Sequence, residues 1–436
     1  MAYREFDNVS RRALLRGGAL VGAGALLSGW LPARVLAQGS TPWSGVSQFI
    51  DSYVDTRRVA SMVATLGWGQ QPATTIARGT LTLGGTRAAG PETLYRIYSM
   101  TKPITGMAAM ALIGDGRLAL DQPLYEILPA YRDMMVQRTY DGSITDLVPA
   151  ERPITIRHLL THTAGLGYSV VQRGPIARAY EQAGAVPGQV TKLPLAAVFG
   201  RGQPVRGLAN FADTLARLPL VAQPGTRWSY SVSLDLLGRV IEVASGKAFD
   251  AFLKERFFDP LEMNSTYFRV PQRDLPRLTT NYGVVAGTLV PIDPPEMSIF
   301  ADEPAFPFGG AGLVSTPADY DKFLQMLVGH GVYRGRRIMG EQAVRLGTSN
   351  LLPEGVSTEN TYAAGSGFGA GGRVGLGEQA GTFGWGGAAG TVAFVNMGNG
   401  LRANLMTQYM PAEAYAVHTG FPAAVLKDLL AMSGRA

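Results

Sequence analysis

Ser99 and Lys102 are the residues of this sequence best suited by type and spacing to nucleophilic chemistry. A serine hydroxyl is a poor nucleophile until a neighbouring group takes its proton, and a lysine can do this or assist. Pro103 fits the first turn of a helix, so we expect Ser99 at or just before a helix N-terminus, with Lys102 projecting from the same face. The pair is the only Ser-x-x-Lys in the chain, which has six Lys against 33 Arg, and an arginine here would keep its proton at ordinary pH. From this segment alone, an N-cap serine followed by a surface lysine remains the alternative.

Tyr230 is the second candidate, because it lies just before an expected helix in the segment from Pro224 to Val232. A tyrosine in such a position usually packs against its neighbours with its hydroxyl hydrogen-bonded. It acts as a base only when ionised, and one ammonium at about 4 Å stabilises the ionised form by about 4 kcal/mol at an effective dielectric near 20. Lys102 could therefore make Tyr230 a base. The third candidate is the Gly-rich strand from Thr382 to Thr391, where small residues allow a ligand to approach the backbone.

Strand patterns near both chain ends and helical patterns between them must bring these segments together. Alternating apolar residues predict strands at Met62 to Trp68, Thr74 to Leu83, Val392 to Met397 and Leu401 to Tyr409, the last two joined by a tight turn at Asn399-Gly400. Helical spacing predicts helices from Val46 and from Pro422, and at Ile104 to Gly114, Ile156 to Thr161, Leu234 to Ala244, Phe249 to Phe258 and Pro317 to Leu327. We therefore expect an α+β fold in which an antiparallel sheet, built from both chain termini and flanked by helices, receives a mostly helical insertion.

The same patterns predict the division of the chain into parts. The sheet part would cover about 41–110 and 300–436, and the helical part about 111–299. The zones 165–207 and 271–307 are rich in Gly and Pro, so we interpret both as surface excursions near a cleft.

The first 37 residues have the plan of an export signal. The paired Arg11 and Arg12 precede an uncharged stretch of 15 residues from Gly17 to Leu31, and compact residues follow up to Ala37. The paired arginines favour the twin-arginine route, and the uncharged stretch is shorter than the about 20 residues that span a bilayer. We expect cleavage near Ala37, a mature chain of 38–436 that is periplasmic or secreted, and no stable membrane anchor.

Composition excludes several other classes of protein. Residues 1–37 carry five Arg and two acidic residues, so +3 of the formal charge of +6 belongs to them and +3 remains for the mature chain. No run of Lys and Arg remains that would follow a nucleic acid backbone, and we expect no nucleic-acid partner. The absence of cysteine excludes disulfide scaffolds, thiolate metal sites and a cysteine nucleophile.

Three further motifs are weak signals. His158 and His162 have the i, i+4 spacing of metal ligands, but no Glu follows His158 and the chain has only two other His, so we expect no metal site. The string Gly367-x-Gly369-x-x-Gly372 matches a dinucleotide fingerprint, yet no helix opens after it. We interpret it as a Gly-rich strand or bend and expect no cofactor. No serine lies in Gly-x-Ser-x-Gly, so the nucleophile elbow of an α/β-hydrolase is absent.

Three segments taken together resemble the motifs of the serine β-lactamase and penicillin-binding protein superfamily. They are, in chain order, Ser99-x-x-Lys102, Tyr230-Ser231 and Trp385-Gly386-Gly387. The resemblance extends from about Phe49 to Tyr409 and is closest to the class C branch and its carboxylesterase relatives, the family VIII esterases. It implies the fold expected above.

The resemblance also implies roles for particular residues. Ser99 would be the nucleophile, Lys102 its partner and Tyr230 the general base or proton shuttle. The backbone N–H groups of Ser99 and Ala388 would form the oxyanion hole. His158 and His162 would then be structural residues of a helix.

Two departures from the family pattern bear on the substrate. Tyr230-Ser231-Val232 stands where β-lactamases of this branch carry Tyr-x-Asn, and Trp385-Gly386-Gly387 stands where they carry Lys-Thr-Gly. The chain thus lacks an amide, a cation and a hydroxyl that meet an anionic β-lactam or peptide terminus, whereas a neutral ester needs none of them. We expect Trp385 to form an apolar wall that favours uncharged groups, and expect Trp385, Gly386, Gly387 and Val232 to contact the substrate.

The resulting expectation is an exported serine hydrolase that cleaves small-molecule carboxylic esters through an acyl-enzyme on Ser99. A β-lactamase, D-amino-acid peptidase or acyltransferase of the same fold is the first alternative. A non-catalytic cell-envelope binding protein is an alternative of another class.

Overall fold

The computed structural model describes residues 43–186, 188–193 and 203–433. The helices are α1 (Ser44–Val54), α2 (Thr101–Gly114), α3 (Ile156–Leu160), α4 (Gly174–Gln182), α5 (Leu208–Leu215), α6 (Ser233–Ser245), α7 (Phe249–Leu253), α8 (Pro317–Val328), α9 (Glu341–Gly347) and α10 (Val417–Met432). The strands are β1 (Ser61–Trp68), β2 (Thr74–Gly79), β3 (Tyr95–Arg96), β4 (Met135–Gln137), β5 (Leu147–Pro149), β6 (Asn281–Val285), β7 (Thr288–Asp293), β8 (Val314–Ser315), β9 (Val332–Tyr333), β10 (Arg336–Arg337), β11 (Gly367–Phe368), β12 (Arg373–Val374), β13 (Thr382–Gly386), β14 (Val392–Asn396), β15 (Leu401–Met406) and β16 (Tyr409–Met410). The predicted export signal, residues 1–37, lies outside the described residues. Within those residues, none of the helices combines the length and the apolar character needed to cross a membrane.

Among the described residues, seven strands form one antiparallel sheet in the order β11-β12-β13-β14-β15-β1-β2. Strand β1 is buried on both faces. Met62, Ala64 and Leu66 pack with α1 and α10 on one face, whereas Val63 joins the main core on the other. The prediction of an α+β fold with an antiparallel sheet built from both ends of the chain is confirmed.

Helix α2 lies at the centre of the main core and is buried over almost its whole length, from Thr101 to Leu112. It packs against α6 and α9. Pro103 lies in its first turn, as predicted, where the missing N–H has no intrahelical acceptor. The helix that carries Lys102 is therefore held from all sides by apolar contacts.

The end of the chain differs from the prediction in three details. Helix α10 begins at Val417, five residues before Pro422, because Val417 and Phe421 both pack into the core beneath the sheet. The run predicted as one strand from Leu401 breaks after Met406, and β16 pairs in parallel with β6 instead. The connection between β14 and β15 has four residues, of which only Gly400 has a positive φ.

The middle of the chain contains more strand than its helical patterns predict. The pairs β4–β5 and β6–β7 lie within the part predicted to be helical, and β6–β7 joins β16 in a three-stranded sheet. The zone 271–307 is therefore more than a surface excursion. Asp293 and Ser298 of this zone are buried, where they contact the Arg96 side chain.

Candidate active site

Ser99 lies in a single 3₁₀ turn, Tyr98–Met100, between strand β3 and helix α2. The Ile97 N–H donates to the Leu313 carbonyl, which fixes the chain as it enters the turn. Tyr98 has a φ of +40°, a conformation that is uncommon for an aromatic residue and persists only where surrounding contacts hold it. The turn places Ser99 two residues before Thr101, the first residue of α2, in agreement with the predicted position just before a helix N-terminus.

The Ser99 hydroxyl accepts two hydrogen bonds, from the Tyr230 hydroxyl at 2.8 Å and from the Lys102 Nζ at 3.1 Å. Lys102 is fully buried in the first turn of α2, and its Nζ also donates to the Gly310 carbonyl at 2.7 Å. The ammonium lies 4.6 Å from the centre of the Tyr230 ring. The structure thus brings together the three residues predicted to be catalytic. Each candidate proton acceptor is in hydrogen-bond contact with the candidate nucleophile, as the chemistry requires.

Asp235 lies behind Lys102 and was missed by the sequence analysis. Its Oδ1 accepts the Gly310 N–H at 2.9 Å, so a single residue, Gly310, contacts the carboxylate through its N–H and Lys102 through its carbonyl. Burial raises the pKa of Asp235 to about 6, against the opposing effects of the Lys102 ammonium and the Gly310 N–H. The signal that could have identified this residue is a single carboxylate among the apolar residues Leu234, Leu236 and Leu237, since an acidic group is rarely buried without a partner.

Aromatic side chains surround Tyr230. The Trp385 Nε1 donates to the Tyr230 hydroxyl at 3.2 Å. The Tyr168 ring lies 5.4 Å from the Tyr230 ring and 5.9 Å from the Lys102 Nζ. A negative charge on the Tyr230 oxygen would therefore be stabilised by a neutral N–H donor and by a nearby ammonium.

His162 contacts the catalytic corner and does not belong to a helix, contrary to the prediction. It lies beyond the end of α3, and its ring centre is 4.8 Å from that of Tyr230. Its Nδ1 accepts the Ser231 N–H at 3.2 Å, which places the proton of the neutral ring on Nε2. Burial, and then the Lys102 ammonium, hold the pKa of His162 well below its ordinary value. His162 is therefore a neutral packing residue behind Tyr230.

His158 has a purely structural environment in α3, consistent with its predicted role. Its Nδ1 accepts the Thr155 N–H and its own N–H donates to the Thr155 hydroxyl, which caps the start of the helix. Burial lowers the pKa of His158 to about 4. In the part of the chain that the structure describes, no group of His, Asp and Glu side chains is arranged to hold a metal ion.

The turn at 387–391, which follows β13, lies against the backbone that leads to Ser99. The Gly387 N–H donates to the Thr391 carbonyl at 2.7 Å and closes the turn, and a Cβ on Gly387 would lie only 2.4 Å from the Ile97 carbonyl oxygen. Over the described ranges, the Ala388 N–H donates to no acceptor. This geometry is compatible with the predicted oxyanion hole, whose donors must be available to a substrate oxygen.

The residues predicted to contact the substrate have different positions. Trp385 lies beside Tyr230, to whose hydroxyl it donates. Gly386 instead packs against His418, since a Cβ on Gly386 would lie only 2.9 Å from the His418 ring. Val232 is fully buried in the main core, and its N–H donates to the Gly167 carbonyl. The Val232 side chain is therefore inaccessible to a substrate, contrary to the prediction, because the chain turns inward here to begin α6.

The Gly-rich string at 367–372 forms β11 and the turn that leads to β12, and it packs against the start of α2. Gly371 has a φ of +74°, and a Cβ there would lie 2.4 Å from the Lys102 carbonyl oxygen. On the helix side, a Cβ on Gly106 would lie 2.2 Å from the Ala370 carbonyl oxygen. Glycines on both surfaces therefore allow the sheet to approach the helix that carries Lys102.

Comparisons with known proteins agree with this geometry. The family described as Beta-lactamase matches residues 46–425. An uncharacterized protein of Mycobacterium tuberculosis is 35% identical over 317 residues, which are 69% of this chain and 73% of that protein. Esterase EstB of Burkholderia gladioli is 30% identical over 336 residues, which are 72% of this chain and 77% of the esterase.

A solved structure gives the same result over a larger part of the chain. EstCE1, described as a hydrolase with promiscuous acyltransferase activity, superposes with a TM-score of 0.69 at 26% identity and covers 91% of this chain and 98% of its own. The family match spans most of the chain, and the superposition shows that the fold is shared. This protein therefore belongs to the beta-lactamase family and is a serine hydrolase related to its esterase members.

Proposed function

We propose that the protein hydrolyses carboxylic esters through an acyl-enzyme on Ser99. The proposal rests above all on the two hydrogen bonds that the Ser99 hydroxyl accepts from Tyr230 and Lys102. The similarity to esterase EstB and to EstCE1 supports ester chemistry over the other reactions of the family. Trp385, which replaces the strand lysine of β-lactamases, presents an aromatic surface that a neutral ester can contact without losing hydrogen bonds.

In the acylation step, Tyr230 reacts in its ionised form, so that the hydrogen bond is reversed and Ser99 donates. The Ser99 oxygen attacks the ester carbonyl carbon while its proton moves to the Tyr230 oxygen. The carbonyl oxygen becomes an oxyanion at the backbone N–H groups of Ser99 and Ala388. The bond from the carbonyl carbon to the alcohol oxygen then breaks, and Tyr230 returns the proton to the departing alcohol.

In the deacylation step, a water molecule takes the place of the alcohol. Tyr230 accepts a proton from the water as its oxygen attacks the acyl carbon, and the bond to Ser99 breaks as Ser99 regains a proton. The products are a carboxylic acid and free enzyme. An alcohol in place of water would give a new ester, so acyl transfer is a second candidate function, favoured by the acyltransferase activity described for EstCE1.

The direct test uses p-nitrophenyl acetate and p-nitrophenyl butyrate. Ser99→Ala should lower kcat by about 10⁴-fold or more while the circular dichroism spectrum is unchanged, because the nucleophile is removed. A fluorophosphonate probe should label the wild type at Ser99 and leave the variant unlabelled. Undiminished turnover by Ser99→Ala would refute the assignment.

The alternative substrates are tested in the same panel. Nitrocefin and a D-alanyl dipeptide should be turned over far more slowly than the esters, because the amide and the strand lysine that meet such anionic substrates are replaced by Val232 and Trp385. Comparable rates on nitrocefin would favour a β-lactamase. Adding an alcohol and measuring the new ester by chromatography determines how the acyl group divides between water and an acceptor.

We propose further that the protein acts after export. The paired Arg11 and Arg12 and the uncharged stretch up to Leu31 support this, together with compact residues before Ala37. N-terminal sequencing of protein recovered from the periplasm or the medium should begin at Gln38. An intact Met1 in the membrane fraction would contradict cleavage.

A further inference from the structure

Arg373 is an exposed residue at the start of β12, the strand that pairs with the strand of Trp385. Its Cζ is 5.6 Å from the centre of the Trp385 ring, and its Nη2 donates to the Tyr362 carbonyl. The rings of Trp385 and Tyr362 both contact Tyr230, at 5.7 and 5.8 Å between ring centres. The guanidinium of an exposed residue is therefore one aromatic ring away from Tyr230 of the Ser99 site.

Within the described residues, Arg373 forms no ion pair with a carboxylate. Some exposed arginines do form one, as in Arg138–Asp146, Arg269–Glu303 and Arg334–Glu262. Desolvation by the surrounding protein lowers the pKa of Arg373, and no carboxylate of the described chain offsets this effect. The charge of Arg373 also acts on His418: burial is the main cause that lowers the pKa of His418, and Arg373 lowers it further.

This combination of solvent access, partial desolvation and missing counter-ion is what an anion-binding site requires. A guanidinium has five N–H donors in a planar fork, and within the described residues Arg373 forms only one hydrogen bond to a protein acceptor. An incoming carboxylate could accept two parallel hydrogen bonds from the remaining donors. The surrounding protein would screen this interaction less than bulk water does.

We propose that Arg373 binds a carboxylate of the substrate, so that the preferred esters carry a free carboxylate remote from the scissile bond, as monoesters of dicarboxylic acids do. This inference rests on the proposed function, because the carboxylate is bound for cleavage at Ser99. The loss of the strand lysine at Trp385 does not leave the cleft without a cation. The neighbouring strand supplies one on the far side of Trp385, which suits a charge several bonds from the ester.

The test compares esters that differ only in this charge. Monomethyl esters of succinic, glutaric and adipic acid carry the carboxylate on the acyl side, and 4-acetoxybutanoate carries it on the alcohol side. Each is paired with its primary carboxamide, which has nearly the same size and no charge. Wild-type kcat/KM should favour the carboxylate of at least one pair by about tenfold or more, mainly through KM, and Arg373→Gln should remove this preference. Rates on the carboxamides should change by less than about twofold.

Arg173→Gln is the matched control, because Arg173 is also an exposed arginine whose charge acts on Tyr362. It should leave the preference intact. Equal wild-type rates within every pair would overturn the inference, as would an equal loss on carboxylates and carboxamides in Arg373→Gln, which would assign Arg373 to holding Tyr362 alone. Wild-type enzyme that is inactive on every ester of the panel, with or without a carboxylate, and on p-nitrophenyl esters would instead refute the proposed function.

Discussion

Two buried cations flank Ser99, Arg96 three residues before it and Lys102 three residues after it, and the protein holds them in opposite ways. Arg96 forms an ion pair with Asp293 at 2.6 Å, and its guanidinium also donates to the Thr279 carbonyl at 2.7 Å. Both charged groups of this pair are completely buried. The charge of Arg96 is thus fully compensated, and its hydrogen bonds fix the strand that leads to Ser99.

Lys102 is equally buried, yet no carboxylate of the described chain contacts it directly. Its Nζ donates to the Ser99 hydroxyl and to the Gly310 carbonyl. Asp235 makes no hydrogen bond to it and acts as a nearby charge, with Gly310 contacting both groups. A direct ion pair would compensate the charge of Lys102, whereas this arrangement leaves an ammonium that can stabilise a negative charge forming on a neighbouring oxygen. The anchoring cation and the reactive cation are thus distinguished by their partners as well as by residue type.

Exchanging the residue type at the reactive position should have the largest effect. Lys102→Arg should lower kcat/KM on p-nitrophenyl butyrate by about 10³-fold or more, because an arginine keeps its proton and its wider head group does not fit the same contacts. If the variant folds poorly, Lys102→Met tests the same point without the larger head group. A rate near that of the wild type in Lys102→Arg would show that Lys102 provides only a positive charge.

The reciprocal exchange at the anchoring position should affect stability instead of chemistry. Arg96→Lys keeps the charge but loses the fork that contacts Asp293 and Thr279 together, so the free energy of unfolding should fall by about 2 kcal/mol. Turnover per folded molecule should stay within about threefold of the wild type. Urea denaturation gives the first quantity and active-site titration with a fluorophosphonate the second. Arg336→Lys, at an exposed position on β10, is the control and should change neither.

Changing the carboxylate behind Lys102 should shift the pH profile of the reaction. Asp235→Asn preserves the acceptor for the Gly310 N–H but removes a negative charge, which favours the less protonated state of the neighbouring groups. The midpoint of the acidic limb of kcat/KM should therefore move about one pH unit lower. Asp428→Asn is the matched control, because this buried carboxylate accepts the N–H groups of Gly45 and Val46 far from the site. An unchanged midpoint in Asp235→Asn would show that the charge of Asp235 does not influence Lys102 or its neighbours during the reaction.

The same variant also makes a prediction for stability. The pKa of Asp235 is raised from 3.8 to about 6 in the folded protein, so its contribution to folding is fully present below the lower value and is lost as the pH rises through the higher one. The free energy of unfolding of the wild type should therefore fall by about 2 kcal/mol relative to Asp235→Asn between about pH 4.5 and pH 7.5. Denaturation curves at the two pH values measure this difference. If the difference in the free energy of unfolding between wild type and Asp235→Asn were the same at both pH values, the pKa of Asp235 would be the same in the folded and unfolded states.

The sequence predicts the reacting residues better than the residues that support them. Ser99, Lys102 and Tyr230 were identifiable because each belongs to a short motif, and the sheet was identifiable because its strands alternate. Asp235 was missed because its contact with Gly310 joins residues 75 positions apart, which no local pattern records.

The cation beside the cleft was missed for a related reason. Arg373 reaches Trp385 only through the pairing of β12 with β13, so its position depends on strand register. The prediction that Val232 contacts the substrate was wrong for the opposite reason. Val232 is only two residues from Tyr230 in the sequence, which suggested that both side chains enter the cleft. The chain turns into α6 at this point and buries the side chain.

The smallest effect should come from the neutral donor that assists Lys102 at the Tyr230 oxygen. Trp385→Phe keeps an aromatic wall but loses the N–H that donates to Tyr230 at 3.2 Å. A hydrogen bond to a charged oxygen contributes about 1.5 kcal/mol or more, so kcat/KM should fall about tenfold and the midpoint of its acidic limb should move to higher pH. Trp228→Phe is the control, because Trp228 also stacks against Tyr230 while its Nε1 has no hydrogen-bond partner in the described part of the chain. Equal effects of the two variants would show that ring packing alone supports Tyr230 and that the ammonium of Lys102 needs no neutral donor beside it.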